Sequence, residues 1–265
     1  MEIAGYIALF FVGLMLGTLG GGGSILSVPI LVYLFSLDAV MASAYSLFIV
    51  GTSSGVGTVL KYHTQRVSLR TGVIFGLPSL MAIFSTRKWI IAAIPEVIVQ
   101  IHSFQLTKRA MILGVFALLM IIASLALITR KDTPQREPST HPVIFLVFWG
   151  MLTGFLTGLV GAGGGFLIIP ALVYLTDLPF KTAVGTTLLI IAVNSLIGFI
   201  GDVINHVVNW PFLLLITSLA VTGIFMGSHF TQNLPAHKLR TAFGWFILLI
   251  GIGILLKEVV LNTMV

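Results

Sequence analysis

Long apolar runs separated by short charged or proline-rich gaps dominate this chain. Eight principal runs are legible, at roughly residues 3–35, 40–60, 71–84, 110–128, 143–175, 182–200, 210–227 and 241–256. About 20 predominantly apolar residues suffice to cross a hydrocarbon core, so most of these runs read as membrane helices. The third has a ragged end. The first and fifth are too long for one crossing: a continuous helix of about 33 residues would measure about 50 Å, against a core of about 30 Å. Both contain a glycine run followed by a proline, which a uniform helix does not accommodate. Each therefore predicts a crossing, a glycine break and a second half-helix that tilts, re-enters or partly crosses.

The two long runs are copies of each other. The segment from Gly17 to Leu34 returns 141 residues later from Gly158 to Leu175, with 10 of 18 positions identical. The match continues: Ala42 with Ala183, Ser46 with Thr187, Ser54 with Ser195, Gly57 with Gly198. Between the copies lies a polar linker, residues 130–142, with three prolines and no apolar run. The expected organisation is a first repeat over residues 1–129, the linker, and a second repeat over 143–265. The predicted fold is an all-α polytopic membrane protein of two tandem repeats, each of about four transmembrane helices with a glycine-broken first helix. The first half carries extra residues around Trp89–Thr107, expected to be an interfacial or re-entrant piece. Four spans per half would make the repeats enter from the same side, with both termini on one side. A half-helix that crosses fully would instead invert them.

Composition agrees with lipid as the solvent. Hydrophobic residues are 57% of the chain and charged residues 8%, and the mean hydropathy is +1.11. The absence of cysteine excludes disulfides, iron–sulfur ligation and thiolate chemistry. The net charge of +6 comes from residues that mostly sit between apolar runs, and no basic stretch is interleaved with aromatics, so nucleic acid is not an expected partner. The first residues lack a basic n-region, so the first run reads as part of the mature chain. On alternate sides of an eight-span layout Lys and Arg divide seven and seven, so loop charge does not orient the protein.

Broken helices offer a specific chemistry. A helix start exposes about four backbone N–H groups and a partial positive charge, and glycine removes the side chains that would keep an anion away. Two broken segments at matching places in two halves point to a transporter binding site. The candidate anion-binding residues are Gly20, Gly21, Gly22, Gly23 and Ser24 in the first copy, and Gly161, Gly163, Gly164 and Gly165 in the second. Small polar residues deep in the following spans complete the set: Ser53 and Ser54, aligned with Asn194 and Ser195. Polar groups in a span face the bundle interior or a cavity. The alternative role for these residues is packing: small residues let helices approach closely, and hydroxyls and amides bond across helices.

Gly51-Thr52-Ser53-Ser54-Gly55 matches the nucleophile-elbow pattern of hydrolases, but it lies within a membrane helix rather than a strand–turn–helix, and its counterpart at 192–196 lacks both glycines and the middle serine. The six histidines show no metal-ligand spacing, and no phosphate-binding loop of the ATPase type is present. No metal, cofactor or catalytic residue is expected. Lys61, Arg66 and Arg70 form a basic cluster suited to attracting anions or to anchoring a helix end at headgroups.

The doubled motif, Gly20 to Ser24 with Val28-Pro29 and Gly161 to Gly165 with Ile169-Pro170, resembles that of the TauE/SafE family of sulfite exporters and related anion permeases. The resemblance covers nearly the whole chain. It implies a multi-pass protein of the cell (inner) membrane, moving sulfite, organosulfonates or related small anions by coupling to an ion gradient. The expected partners are that small anion and the bilayer, and a homo-oligomer is compatible with the sequence. The competing readings are an integral membrane enzyme acting on a lipid or peptide, and a membrane scaffold that transports nothing. The first would need convergent acid, base or metal residues at membrane depth. The second would not need paired polar groups beside glycine breaks.

Overall fold

The computed structural model describes residues 2–62, 66–91, 93–95, 97–101, 104–129, 143–160, 164–176, 178–203, 207–230 and 236–256. Ten helices account for most of them: α1 Glu2–Leu19, α2 Ser24–Tyr33, α3 Ala39–Tyr62, α4 Leu69–Ser85, α5 Lys108–Thr129, α6 Val143–Val160, α7 Gly165–Leu175, α8 Phe180–Val203, α9 Trp210–Phe230 and α10 Ala236–Leu255. Both long apolar runs are broken where the glycines fall. A 3-10 turn, Gly21–Gly23, separates α1 from α2, and Gly164 precedes α7. Helix starts follow ordinary capping chemistry. Asp38 Oδ2 accepts from Val40 N–H ahead of α3, Ser68 Oγ from Thr71 N–H at α4, and Asn209 Oδ1 from Phe212 N–H at α9.

Among the described residues one pair of strands interrupts the helices. The extra segment of the first half contains two short strands, β1 Val97–Ile101 and β2 Phe104–Thr107, paired antiparallel. Their ladder satisfies backbone groups that a non-helical segment would otherwise leave unpaired. Glu96 and His102 of that segment lie outside the described residues, as does the polar linker.

Glycine contacts fix the direction of each helix. A β-carbon on Gly23 would run into Val12 and Leu16, and the Phe35 ring lies against Gly5 and Tyr6, so α2 returns beside α1 as a hairpin. Gly13 abuts Ala220 and Gly17 abuts Ile224, so α1 and α9 run parallel. Gly150, Gly154 and Gly158 abut Phe75, Ser79 and Ile83, so α6 runs parallel to α4. Gly51 meets Leu196 and Gly57 meets Leu188, so α3 and α8 are antiparallel, as are α5 and α10 through Gly244 with Ile128 and Gly251 with Ala117.

These directions set the order in which the helices cross. We call the face where α1 begins proximal. Because α2 turns back to it, α3 ascends to the distal face, α4 returns and α5 ascends again. Helix α6, parallel to α4, therefore starts distally, opposite to α1. The start of α1 and the end of α10 share the proximal face.

Helices α3, α8 and α9, and α4 with its extension to Ile90, are each long and apolar enough to cross a bilayer. Their surroundings suit lipid. Val73, Leu77, Met81 and Phe84 line one exposed stripe of α4, and Leu118, Ile122 and Leu125 line one of α5. Such contiguous apolar faces would be a liability in water. The chain is an integral membrane protein. Inside, the core mixes fully buried Leu, Ile and Phe with a set of buried hydroxyls.

Candidate functional site

The two glycine breaks touch. A β-carbon on Gly21 would collide with the Gly165 α-carbon, and one on Gly165 would collide with Gly21 and with Ile191 Cδ1 on α8. Since α2 and α7 run away from this contact toward opposite faces, their N-terminal ends meet head to head. Two partial positive charges, and the N–H groups that carry them, converge on one place. Two residues reach this geometry only because they are glycine: Gly20 at φ 72° and Gly164 at φ 67°. An L-residue pays about 1–2 kcal/mol in the left-handed region that Gly164 occupies, whereas the ψ of −134° at Gly20 lies in a region essentially reserved for glycine. At Gly164 a side chain would also strike the Thr157 hydroxyl.

Ser24 opens α2 and is fully buried, but its hydroxyl is not idle. It donates back to the Gly21 carbonyl at 2.6 Å and so tightens the break. A short chain of hydroxyls follows. Ser27 Oγ donates to the Ser24 carbonyl at 2.7 Å and lies 2.6 Å from Ser46 Oγ on α3. In the second copy Ile168 replaces Ser27, and the fully buried Thr187 hydroxyl, at the place of Ser46, has no partner among the described residues.

Ile191 of α8, which touches both breaks, lies one turn from Asn194, near which α3 and α8 cross at Ser53. Ser53, Ser54 and Ser195 are buried with hydroxyls that find no partner among the described residues, as is Thr157 on α6. Buried polar atoms are ordinarily satisfied, so a cluster of exceptions calls for an explanation such as a bound ligand. Asn194 is half engaged: Nδ2 donates to Ser79 Oγ on α4 at 2.9 Å, while Oδ1 has no partner among the described residues. Swapping the amide would let Oδ1 accept from the Ser79 hydroxyl and would present Nδ2 as a donor instead.

Of the sequence-predicted site, Gly21 and Gly165 are in direct contact, with Gly20, Gly22, Gly23, Ser24 and Gly164 in the two turns around them. Ser53, Ser54, Asn194 and Ser195 lie at the α3–α8 crossing. Gly161 and Gly163 lie outside the described residues. The small-residue stripes also pack helices, at α1 on α9 and α4 on α6. Sequence reasoning left Thr157 out of the site. Its signal was weak, because a lone threonine in an apolar helix usually bonds to its own backbone, as Thr153 does here. The structure also regroups the basic cluster. Lys61 and Arg66 join Lys181, with Thr18 and Ser228, around a recess on the distal face. Its enclosed volume of about 20 Å³ holds little more than one water. Val184 lines this recess and also touches Gly20.

The serine of the G-x-S-x-G pattern, Ser53, sits in the unbroken helix α3, so the strand–turn–helix context of a nucleophile elbow is absent there. Among the described residues no cluster of His, Asp or Glu is suited to a metal.

Comparison with known proteins finds relatives along nearly the whole chain. The sequence model of the family "Sulfite exporter TauE/SafE" matches residues 6–254. A "Probable membrane transporter protein" of Xylella fastidiosa (strain Temecula1) is 29% identical over 257 residues, covering 93% of this chain and 92% of the relative. The probable membrane transporter protein YunE of Bacillus subtilis is 27% identical, covering 93% of this chain and 96% of its own. The probable membrane transporter protein MJ0441 of Methanocaldococcus jannaschii is 24% identical, covering 93% and 92% respectively. No solved structure matches.

Proposed function

We propose, from the premise that this chain belongs to the sulfite exporter TauE/SafE family, that it is a secondary transporter of a small oxyanion such as sulfite or an organosulfonate. The relatives that align along nearly their whole length are named as probable membrane transporters, which supports the transport reading. The single observation that carries the site is the head-to-head meeting of α2 and α7 at Gly21 and Gly165. Paired helix N-termini suit an anion without any cationic side chain. The unpartnered hydroxyls of Ser53, Ser54 and Ser195 nearby are uncharged donors for its oxygens.

The helix pairings support an inverted duplication. The α1–α9 contact has its counterpart in α6–α4, and the α3–α9 contact in α8–α4, while α2 meets α7, α3 meets α8 and α5 meets α10. A two-fold axis through the α3–α8 crossing relates each set to the other. Rocking one set of helices against the other around the fixed glycine contact would expose it alternately to the two faces.

The helix directions also change the charge count. Among the described residues the distal segments hold six Lys and Arg, namely Lys61, Arg66, Arg70, Lys181, Lys238 and Arg240, and the proximal segments hold four, Arg87, Lys88, Lys108 and Arg109. By the positive-inside rule the distal face is cytoplasmic. The test of function is direct. Purified protein in liposomes, loaded or presented with labelled sulfite, methanesulfonate and acetate, with and without a pH gradient, should accumulate the sulfur oxyanions. Tight vesicles containing abundant protein that move none of them would refute the reading.

A further inference from the structure

The distal recess gathers three cations from three segments: Lys61 from the last turn of α3, Arg66 from the connection to α4, and Lys181 from the first turn of α8. The arrangement is held by backbone. Arg66 N–H donates to the Lys61 carbonyl at 3.1 Å, Ser68 N–H donates to Thr186 Oγ1 at 2.9 Å, and Gly185 leaves room for the Arg66 carbonyl. The recess is joined to the first glycine break through Val184, which packs on Gly20.

The opposite mouth is chemically different. Positions 141 residues removed from Lys61, Arg66 and Lys181 are Asp202, Val207 and Val40. Val207 is 96% exposed and Val40 48%, so apolar surface stands there in place of two of the cations. The counterpart of Ser228 is Arg87, whose guanidinium donates to Ser43 Oγ at 2.6 Å. Like charges placed together near low-dielectric walls focus a field and raise the local concentration of counter-ions.

We propose that Lys61, Arg66 and Lys181 form a one-sided vestibule that draws a small oxyanion to the distal mouth, above a recess that itself holds little more than one water, and so raises its supply to the glycine contact. This deepens the transport reading and rests on it for its biological meaning. It makes loading from the distal face stronger than loading from the proximal face, although the two halves share one plan. Because it acts through charge, the vestibule is sensitive to ionic strength.

The natural absence of cysteine permits a test that needs no transport. In a Thr18→Cys variant, the introduced thiol should react about tenfold faster with an anionic thiosulfonate reagent than with a cationic one of equal size. Methanesulfonate should slow the anionic reagent. Adding Lys61→Gln and Lys181→Gln should bring the ratio close to one, whereas adding Arg70→Gln, outside the recess, should leave it high. An unchanged ratio in the double variant, or a thiol that reacts with neither reagent, overturns the proposal. In vesicles of the two orientations, the double variant should raise the KM for sulfite about tenfold from the distal face alone, with the maximal rate kept. Equal shifts from both faces overturn it too. Vesicles that move no sulfite while the thiol ratio behaves as expected refute the transport reading and leave the vestibule standing.

Discussion

Asn194 lies at the α3–α8 crossing with its amide nitrogen 2.9 Å from Ser79 Oγ and its carbonyl oxygen unpartnered among the described residues. Two roles compete for it, and the structure supplies the control that separates them. If the amide only ties α8 to α4, removing either partner breaks the same bond. Helix–helix hydrogen bonds in membranes contribute about 0.6 kcal/mol on average. If the amide also holds the substrate, Asn194→Ala removes a hydrogen bond to a charged ligand, worth about 1.5–3 kcal/mol, or roughly a ten- to hundredfold loss of affinity. Ser79→Ala breaks the interhelical bond and leaves the amide in place, free to turn either end toward the site. We expect Ser79→Ala and Asn194→Ala each to lower thermal stability slightly, with a coupling of about 0.6 kcal/mol in the double variant. We expect only Asn194→Ala to weaken sulfite binding, measured by isothermal calorimetry on purified protein. Equal and small effects of both variants on binding would refute the ligand role and leave Asn194 as a tie between helices.

Gly164→Ala meets both a positive φ and the Thr157 hydroxyl, so it should lower the melting temperature. Adding Thr157→Ala, which removes the hydroxyl and methyl but keeps the β-carbon, should recover part of the steric loss and none of the backbone part, which is about 1–2 kcal/mol; full recovery would show that the backbone strain is absent. Orientation can be read with single thiols on exposed positions. In intact cells an impermeant reagent should label Lys88→Cys from outside, and Lys238→Cys only after the membrane is opened; the reverse pattern would place the distal face outside.

How far the sequence reaches differs by feature. Residence in the membrane, the glycine breaks and the duplicated motif follow from composition, run length and self-similarity, because hydrocarbon tolerates only long apolar helices and the 33-residue runs exceed its thickness. The role of Gly20 and Gly164 as break points was legible for the same reason. Which way the half-helices turn was not legible. A glycine break permits a bend, a re-entry or a hairpin alike, and only the packing of Gly23 on Leu16 and of Phe35 on Gly5 selects the hairpin. That one choice reverses the entry of the second half and turns an even charge count into a six-to-four bias among the described residues. The contact of Gly21 with Gly165 and the gathering of Lys61, Arg66 and Lys181 join residues about 120–145 positions apart. The sequence determined that two positive helix ends exist. The tertiary structure decided that they meet, because only packing α3 on α8 in antiparallel brings the two breaks to one depth.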